Sequence, residues 1–234
     1  MSSFTLRLIA LALMCVDHLG LAVFPAIPGF RIVGRLAFPL YCFLLAQGYA
    51  HTRDLRAYAR RLLLVALLSE IPFDLLIFGR VACNVEQNAL FSLLLGLLAL
   101  CAVDALRGRP LLAGAAALLL CMGAMLARVS YGWLGIALCL CFHLLRERRP
   151  RMLLCAGALL ALYTLSLLFA GVSRTWALTA LTALAALPLI AVYSGERGPR
   201  VPAFTFLFYA SYPVHLLALY ALRAARLVPP YLFR

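Results

Sequence analysis

Leu8-Ile9-Ala10-Leu11-Ala12-Leu13-Met14-Cys15-Val16-Asp17-His18-Leu19-Gly20 is an apolar run with an adjacent acid and imidazole set deep inside it. Read as a helix, it has no polar face to turn to water. An ionisable side chain in hydrocarbon costs roughly 2.5 to 3.5 kcal/mol on insertion scales, so it is seldom kept there without a task. The stretch therefore points to a first membrane span that carries chemistry.

The remainder of the chain agrees with that class. Its 234 residues are 66% hydrophobic, with a mean hydropathy of +1.02. The apolar runs are continuous rather than alternating, which excludes a transmembrane β-barrel and leaves an all-α, polytopic transmembrane helical bundle. The longest polar stretch covers only residues 51–61, so residues 1–234 read as a single integral membrane domain. Nine spans are expected, near 6–24, 34–50, 62–78, 90–106, 111–127, 131–145, 152–172, 176–193 and 204–222. Tight loops with Gly/Pro breaks separate them. The start of the chain imitates a signal peptide, but it lacks a small-x-small cleavage site and is expected to remain as the first span.

The net charge of +13 comes from 21 basic residues, all arginine, against eight acids. These arginines fall in short loops between spans, which makes them topology determinants and argues against nucleic acid as a partner. Thirteen lie on the side of the N-terminus and eight on the other. The positive-inside rule then places the N-terminus in the cytoplasm. The eight cysteines are scattered through apolar spans without Cys-x-x-Cys or zinc spacing, so they read as small buried hydrophobes and no metal is expected.

At 1.5 Å rise per residue, His18 lies about 18 Å into the first span and His215 about 17 Å into the ninth. Glu70 and Asp74 lie about 12 and 18 Å into the third. In a nine-span chain these three spans run in one direction, so all four groups fall in one slab near the bilayer middle. Glu70 and Asp74 share a helix face at i, i+4, with Pro72 between them as a kink-former. Their bland reading is a packing helix whose acids pair with arginines such as Arg35. Asp17 and His18 diverge by about 100° around the helix, so Asp17 pairs with an arginine or faces elsewhere rather than orienting its neighbour. His18 and His215 are general-base candidates because imidazole titrates near neutrality; packed interhelical imidazoles are the plainer reading of both. His51 and His143 sit at span ends and read as interfacial.

The loop at 51–61 carries Arg53, Arg56, Arg60 and Arg61. It reads either as a topology determinant facing anionic headgroups or as a clamp for a phosphorylated cytosolic ligand. Spans one to three and nine hold most of the buried ionisable groups and read as the working part; spans four to eight read as scaffold. No convincing internal repeat is found, which counts against a transporter built from duplicated halves.

Several ordered motifs resemble the TraX family: the opening stretch through Gly20, then Ile32-Val33-Gly34-Arg35-Leu36-Ala37-Phe38-Pro39-Leu40. Gln47-Gly48-Tyr49-Ala50-His51-Thr52-Arg53, Ser69-Glu70-Ile71-Pro72-Phe73-Asp74 and Phe208-Tyr209-Ala210-Ser211-Tyr212-Pro213-Val214-His215-Leu216 continue it. The resemblance is dense over the first ~75 residues and good in the last span, while the middle matches in hydropathy alone. It implies a multi-pass protein of the bacterial inner membrane that acetylates the amino terminus of a pilin-like protein or another membrane-proximal acceptor, with acetyl-CoA as donor. The residue roles come from depth and chemistry. His18 would be the base, His215 the alternative base, and Asp17 or Arg35 would set the local field. Glu70 and Asp74 would hold an ammonium acceptor or anchor Arg35, and Arg53, Arg56, Arg60 and Arg61 would hold the donor's phosphates. A proton-coupled transporter and a non-catalytic assembly factor remain as alternatives from other classes.

Overall fold

The computed structural model describes residues 1–196, 198–199 and 202–225, with the side chains of 202–206 left aside. Every named element is helical: α1 (Ser3–Ala22), α2 (Pro28–Gly34), α3 (Ala37–His51), α4 (Leu55–Phe78), α5 (Ala89–Ala105) and α6 (Pro110–Leu126) form the first part. They are followed by α7 (Trp133–Leu144), α8 (Arg149–Phe169), α9 (Arg174–Leu181), α10 (Ala186–Ala191) and α11 (Pro202–Ala224), with a 3₁₀ turn at Thr182–Ala185 joining α9 to α10. No strand occurs among the described residues. The only ladder-like contact there is a single bridge between Gln87 and Val129.

Nine spans were expected, and here the structure corrects the count. Among the described residues four helices are long and apolar enough to cross a membrane: Ser3–Ala22, Pro28–His51, Arg149–Phe169 and Arg174–Ala191. The shortfall has a simple geometric cause. The 17 residues each of α5 and α6 rise about 26 Å, and the 12 of α7 about 18 Å, below the ~30 Å of a hydrocarbon core. In α4 the length suffices at 24 residues, but Arg56, Arg60, Arg61, Glu70 and Asp74 interrupt the apolar run. The four long apolar helices make the chain a membrane protein, and the shorter ones complete the bundle between them.

Local chemistry sets the helix ends. Ser2 caps α1 by accepting from the Thr5 N–H, and Asp54 caps α4 by accepting from the Ala57 N–H at 2.8 Å. α4 stops at Gly79, whose φ of +66° is a left-handed conformation open to glycine. The 51–61 stretch is therefore not a loop: only 52–54 lie outside helix, and Arg56, Arg60 and Arg61 ride on the first turns of α4. Arginine, leucine and alanine are good helix formers, and one aspartate at the cap is enough to start the helix early. Between α2 and α3 the helix breaks at Arg35-Leu36. Pro39 sits in the first turn of α3, where a missing N–H deprives no carbonyl of a partner.

Hydrogen bonds fix which ends meet. The Met1 ammonium donates to the Val192 carbonyl at 2.8 Å, and Arg149 Nη2 donates to the Tyr193 carbonyl at 2.6 Å. The starts of α1 and α8 and the end of α10 thus share one end of the bundle. At the other end the Gln87 N–H donates to the Arg128 carbonyl and the Ser130 N–H to the Gln87 carbonyl, joining the 79–88 and 127–132 loops. Small residues let helices cross closely. A Cβ on Gly34 would run into Asp17, so α2 lies directly on α1; a Cβ on Gly135 would strike Ser92, where α7 meets α5. The main core is built from Leu6, Leu40, Phe43, Leu97, Leu138 and Phe142 with their neighbours.

Candidate active site

A cavity of about 580 Å³ runs between α1, α2, α3, α4 and α11. One end is lined by Arg7, Gly48, Thr52, Tyr58 and Arg61, and the other by Asp17, Arg31, Arg35, Glu86, Tyr131 and Trp176. His18 lies in its wall, as do Met14, Tyr41, Phe73, Phe208 and Tyr212. The size falls in the roughly 300–1,000 Å³ of small-molecule sites.

The two deep histidines meet. His215 Nε2 lies 2.9 Å from His18 Nδ1, and His215 Nδ1 lies 2.7 Å from the Ser211 carbonyl. A carbonyl can only accept, so His215 carries its proton on Nδ1 and, when neutral, accepts at Nε2. His18 must then donate from Nδ1, which leaves its Nε2 with a bare lone pair. The relay runs from the Ser211 carbonyl through one imidazole to the other and fixes the tautomer of both. Tyr212 packs its ring edge-on against each, with centroids 5.9 Å from His18 and 5.5 Å from His215. Pro213 follows Tyr212 directly within α11, two residues before His215.

Asp17 turns away from its neighbour. Its Oδ2 accepts from Arg31 Nη1 at 2.5 Å, and the same nitrogen reaches the Asp17 carbonyl at 3.1 Å. Both side chains are about nine-tenths buried. The close approach of Gly34 to Asp17 places α2 where Arg31 can make this pair. One turn on, Arg35 Nη1 donates to the Tyr131 hydroxyl at 3.1 Å. Tyr131 is held at a φ of +63°, a strained position for a side chain of that size, and its ring stacks on Phe38 at 3.6 Å between centroids. Trp176 covers both guanidinium groups, with its centroid 5.3 Å from Arg31 and 5.8 Å from Arg35.

The other sequence candidates lie elsewhere. Glu70 and Asp74 do not line the cavity and pair with no arginine among the described residues. Glu70 accepts from the Asn88 side chain and from its N–H, the latter at 3.2 Å; Asp74 accepts from the Cys83 N–H at 2.6 Å. They hold the 79–88 loop to α4. Of the four arginines near the start of α4, only Arg61 reaches the cavity; Arg53, Arg56 and Arg60 point to solvent. Residues missed by sequence reasoning are Arg7, Arg31, Tyr131 and Trp176. Tyr131 and Trp176 come from the stretch read as scaffold, and each imitates an ordinary span-edge aromatic. His143 is also more than interfacial: its Nε2 lies 3.1 Å from Asp104 Oδ1, and Tyr49 donates to Asp104 Oδ2 at 2.9 Å. Among the described residues no group of three His, Cys, Asp or Glu side chains is placed to hold a metal ion.

An apolar helical bundle enclosing a cavity, with two joined imidazoles in mid-bundle and arginines at either end, defines an all-helical membrane protein with an internal site. The family model described as TraX protein matches residues 2–223, and the chain belongs to the TraX family. It is 34% identical over 110 residues to a probable fimbrial assembly protein FimC, serogroup H1, of Dichelobacter nodosus, covering 42% of this chain and 45% of that one. It is 36% identical over 44 residues to the uncharacterized protein RP591 of Rickettsia prowazekii (strain Madrid E), covering 19% and 18% respectively. The chain thus spans less than half the length of these curated relatives. No solved structure matches it.

Proposed function

We propose that the protein is an integral membrane acetyltransferase that moves an acetyl group from acetyl-CoA to an amine. The observation that carries this reading is the His215–His18 relay, which leaves a bare imidazole nitrogen on a residue of the cavity wall. Attack of an amine on a thioester forms a C–N bond, breaks the C–S bond and releases a proton from the nitrogen. His18 Nε2 accepts that proton and passes it to the departing thiolate, while His215 Nε2, accepting from the His18 Nδ1–H, shares the imidazolium charge. Burial between α1 and α11 holds both rings in register.

The donor fits from the end lined by Arg7 and Arg61. The cavity suits an acylated pantetheine arm in volume, and two guanidiniums at its rim would grip the phosphates that stay outside. The sequence count puts 13 of 21 arginines on the side of the N-terminus, and by the positive-inside rule the end near Arg7 faces the cytoplasm of a bacterial inner membrane, where acetyl-CoA is made. The acceptor then enters by the Arg31–Arg35 end. Likeness to a probable fimbrial assembly protein supports a pilin-like acceptor and a role in pilus assembly.

Purified protein incubated with acetyl-CoA and a peptide bearing a pilin-like amino terminus should release free thiol and yield acetylated peptide. His18→Gln should abolish both products while leaving the unfolding temperature near that of the parent. Undiminished acetylation by His18→Gln, or no acetyl transfer by the parent to any amine offered, would overturn the reading.

A further inference from the structure

At the far end of the cavity the charges do not balance locally. Asp17 is engaged by Arg31, and among the described residues no carboxylate lies within ion-pairing distance of Arg35. Arg35 is half-buried, shares the charge of Asp17 with Arg31 at longer range, has the Tyr131 hydroxyl as its hydrogen-bond partner, and leaves its Nε buried without one. The Nε of Arg31 is likewise buried and unpartnered. Leaving a buried cation or its donors unmatched costs several kcal/mol, so such a group marks a place where an anion belongs.

Space for one is present. A second cavity of about 190 Å³ adjoins the first and shares Arg35, Glu86, Ser130, Tyr131 and Trp176 with it. Apart from Tyr163 its remaining walls are apolar, with Leu134, Leu160 and Leu167 among them. Glu86 is the other acid in these walls; it is half-exposed and makes no ion pair within 4 Å among the described residues. Trp176 and Tyr131 face the Arg35 guanidinium with ring centroids at 5.8 and 5.9 Å, Phe38 stacks on Tyr131, and the left-handed backbone at Tyr131 fixes the hydroxyl that aims Arg35.

We propose that Arg35, backed by Arg31 and capped by Trp176 and Tyr131, is a binding site for an oxyanion, carboxylate or phosphate, carried by the acceptor. Calling the occupant the acceptor rests on the acetyltransferase reading; the existence of the anion site does not. From sequence Glu70 and Asp74 were to hold an ammonium acceptor or anchor Arg35, whereas this pocket is cationic and of opposite preference. The acceptor's nucleophile then lies a short spacer away from its anionic group, with the anion held at Arg35 and the nucleophile directed toward His18. Two guanidiniums also favour the neutral form of a nearby amine over its ammonium, which is the form that attacks.

Trp176 can report the occupant directly, because the chain has only one other tryptophan. In a Trp133→Phe background, with no acetyl-CoA present and chloride held constant, Trp176 emission is followed while acetate, inorganic phosphate, methylammonium or adenosine 3′,5′-bisphosphate is added. Acetate or phosphate should give a saturable change and methylammonium none. Arg35→Gln should weaken the anion response about 10- to 100-fold, the loss expected for a charge-assisted hydrogen bond, and Arg56→Gln, away from the cavity, should leave it intact. Arg35→Lys guards against misfolding: it keeps the charge and should retain a weakened anion response. A saturable response to methylammonium, an anion response unchanged in Arg35→Gln, or no anion response at all would overturn the proposal. Tighter binding of the bisphosphate than of phosphate, lost in Arg35→Gln, would give the site to the donor and also overturn it. Because acetyl-CoA is absent, anion binding can succeed where acetyl transfer fails, and the reverse.

Discussion

His18 and Asp17 are chain neighbours with separate partners, and their variants should separate accordingly. His18 works through a bare Nε2, so His18→Ala should lower kcat by about 10²- to 10⁴-fold, the usual contribution of general-base catalysis, with donor KM little changed. His215→Ala removes the acceptor of the His18 Nδ1–H but not the base itself. Its loss should be smaller, and its pH–rate profile should shift because the imidazolium on His18 loses its partner; an unshifted profile would reduce His215 to packing. Asp17→Asn leaves Arg31 enclosed with its partner's charge gone. Breaking such a pair costs about 3–5 kcal/mol, so the yield of folded protein should fall together with activity. Asp17, His18, Arg35 and His215 were legible because each is ionisable inside an apolar run. Arg31 was not, since from sequence it is one more arginine near a span end. Tyr131 and Trp176 were not either, because only tertiary structure distinguishes a guanidinium clamp from an interfacial aromatic.

The crossing of α1 and α2 is decided by one missing side chain. A Cβ at Gly34 would occupy the space of Asp17, whereas one at Gly29 would meet nothing within 4 Å. Gly34→Ala should therefore push α2 off α1, cost about 1–3 kcal/mol as overpacking does, and loosen the Asp17–Arg31 pair; Gly29→Ala should be silent. Thermal unfolding in detergent distinguishes the two, and equal unfolding temperatures would mean the crossing tolerates separation. On α4, the i, i+4 spacing of Glu70 and Asp74 correctly gave a shared face. What that face meets depends on where the 79–88 loop returns, and periodicity carries no such information. Glu70→Gln should accordingly keep the helix and free the loop, seen as faster amide exchange at Asn88 with the α4 amides unchanged. The helix start at Asp54 was legible in principle, since an aspartate before Leu-Arg-Ala-Tyr-Ala-Arg-Arg is a cap signal. The density of arginine hid it by suggesting a loop.

At the scale of the molecule, hydropathy gave the class and the apolar segments but overcounted the helices long enough to cross. It reads composition, whereas crossing also requires length. The cavity was invisible in the sequence because α1, α4, α9 and α11 come together only in the fold. Its two ends nonetheless make a joint prediction about sidedness. If the Arg7–Arg61 end is cytoplasmic, reporter fusions after residues 107 and 147 should report cytoplasm, and those after 80 and 171 periplasm. The same sidedness assigns the donor to that end. Neutralising Arg7 and Arg61 together should raise the KM for acetyl-CoA, since each lost charge-assisted contact to phosphate is worth about 1.5–3 kcal/mol. Acetyl-pantetheine lacks the nucleotide and should be used equally well by parent and variant. Neutralising Arg53 and Arg56, which are solvent-facing and away from the cavity, should leave both donors unaffected. A rise in KM for acetyl-CoA in the Arg53/Arg56 variant, matched by none in the Arg7/Arg61 variant, would place the nucleotide on the outer turns of α4 and away from the cavity rim.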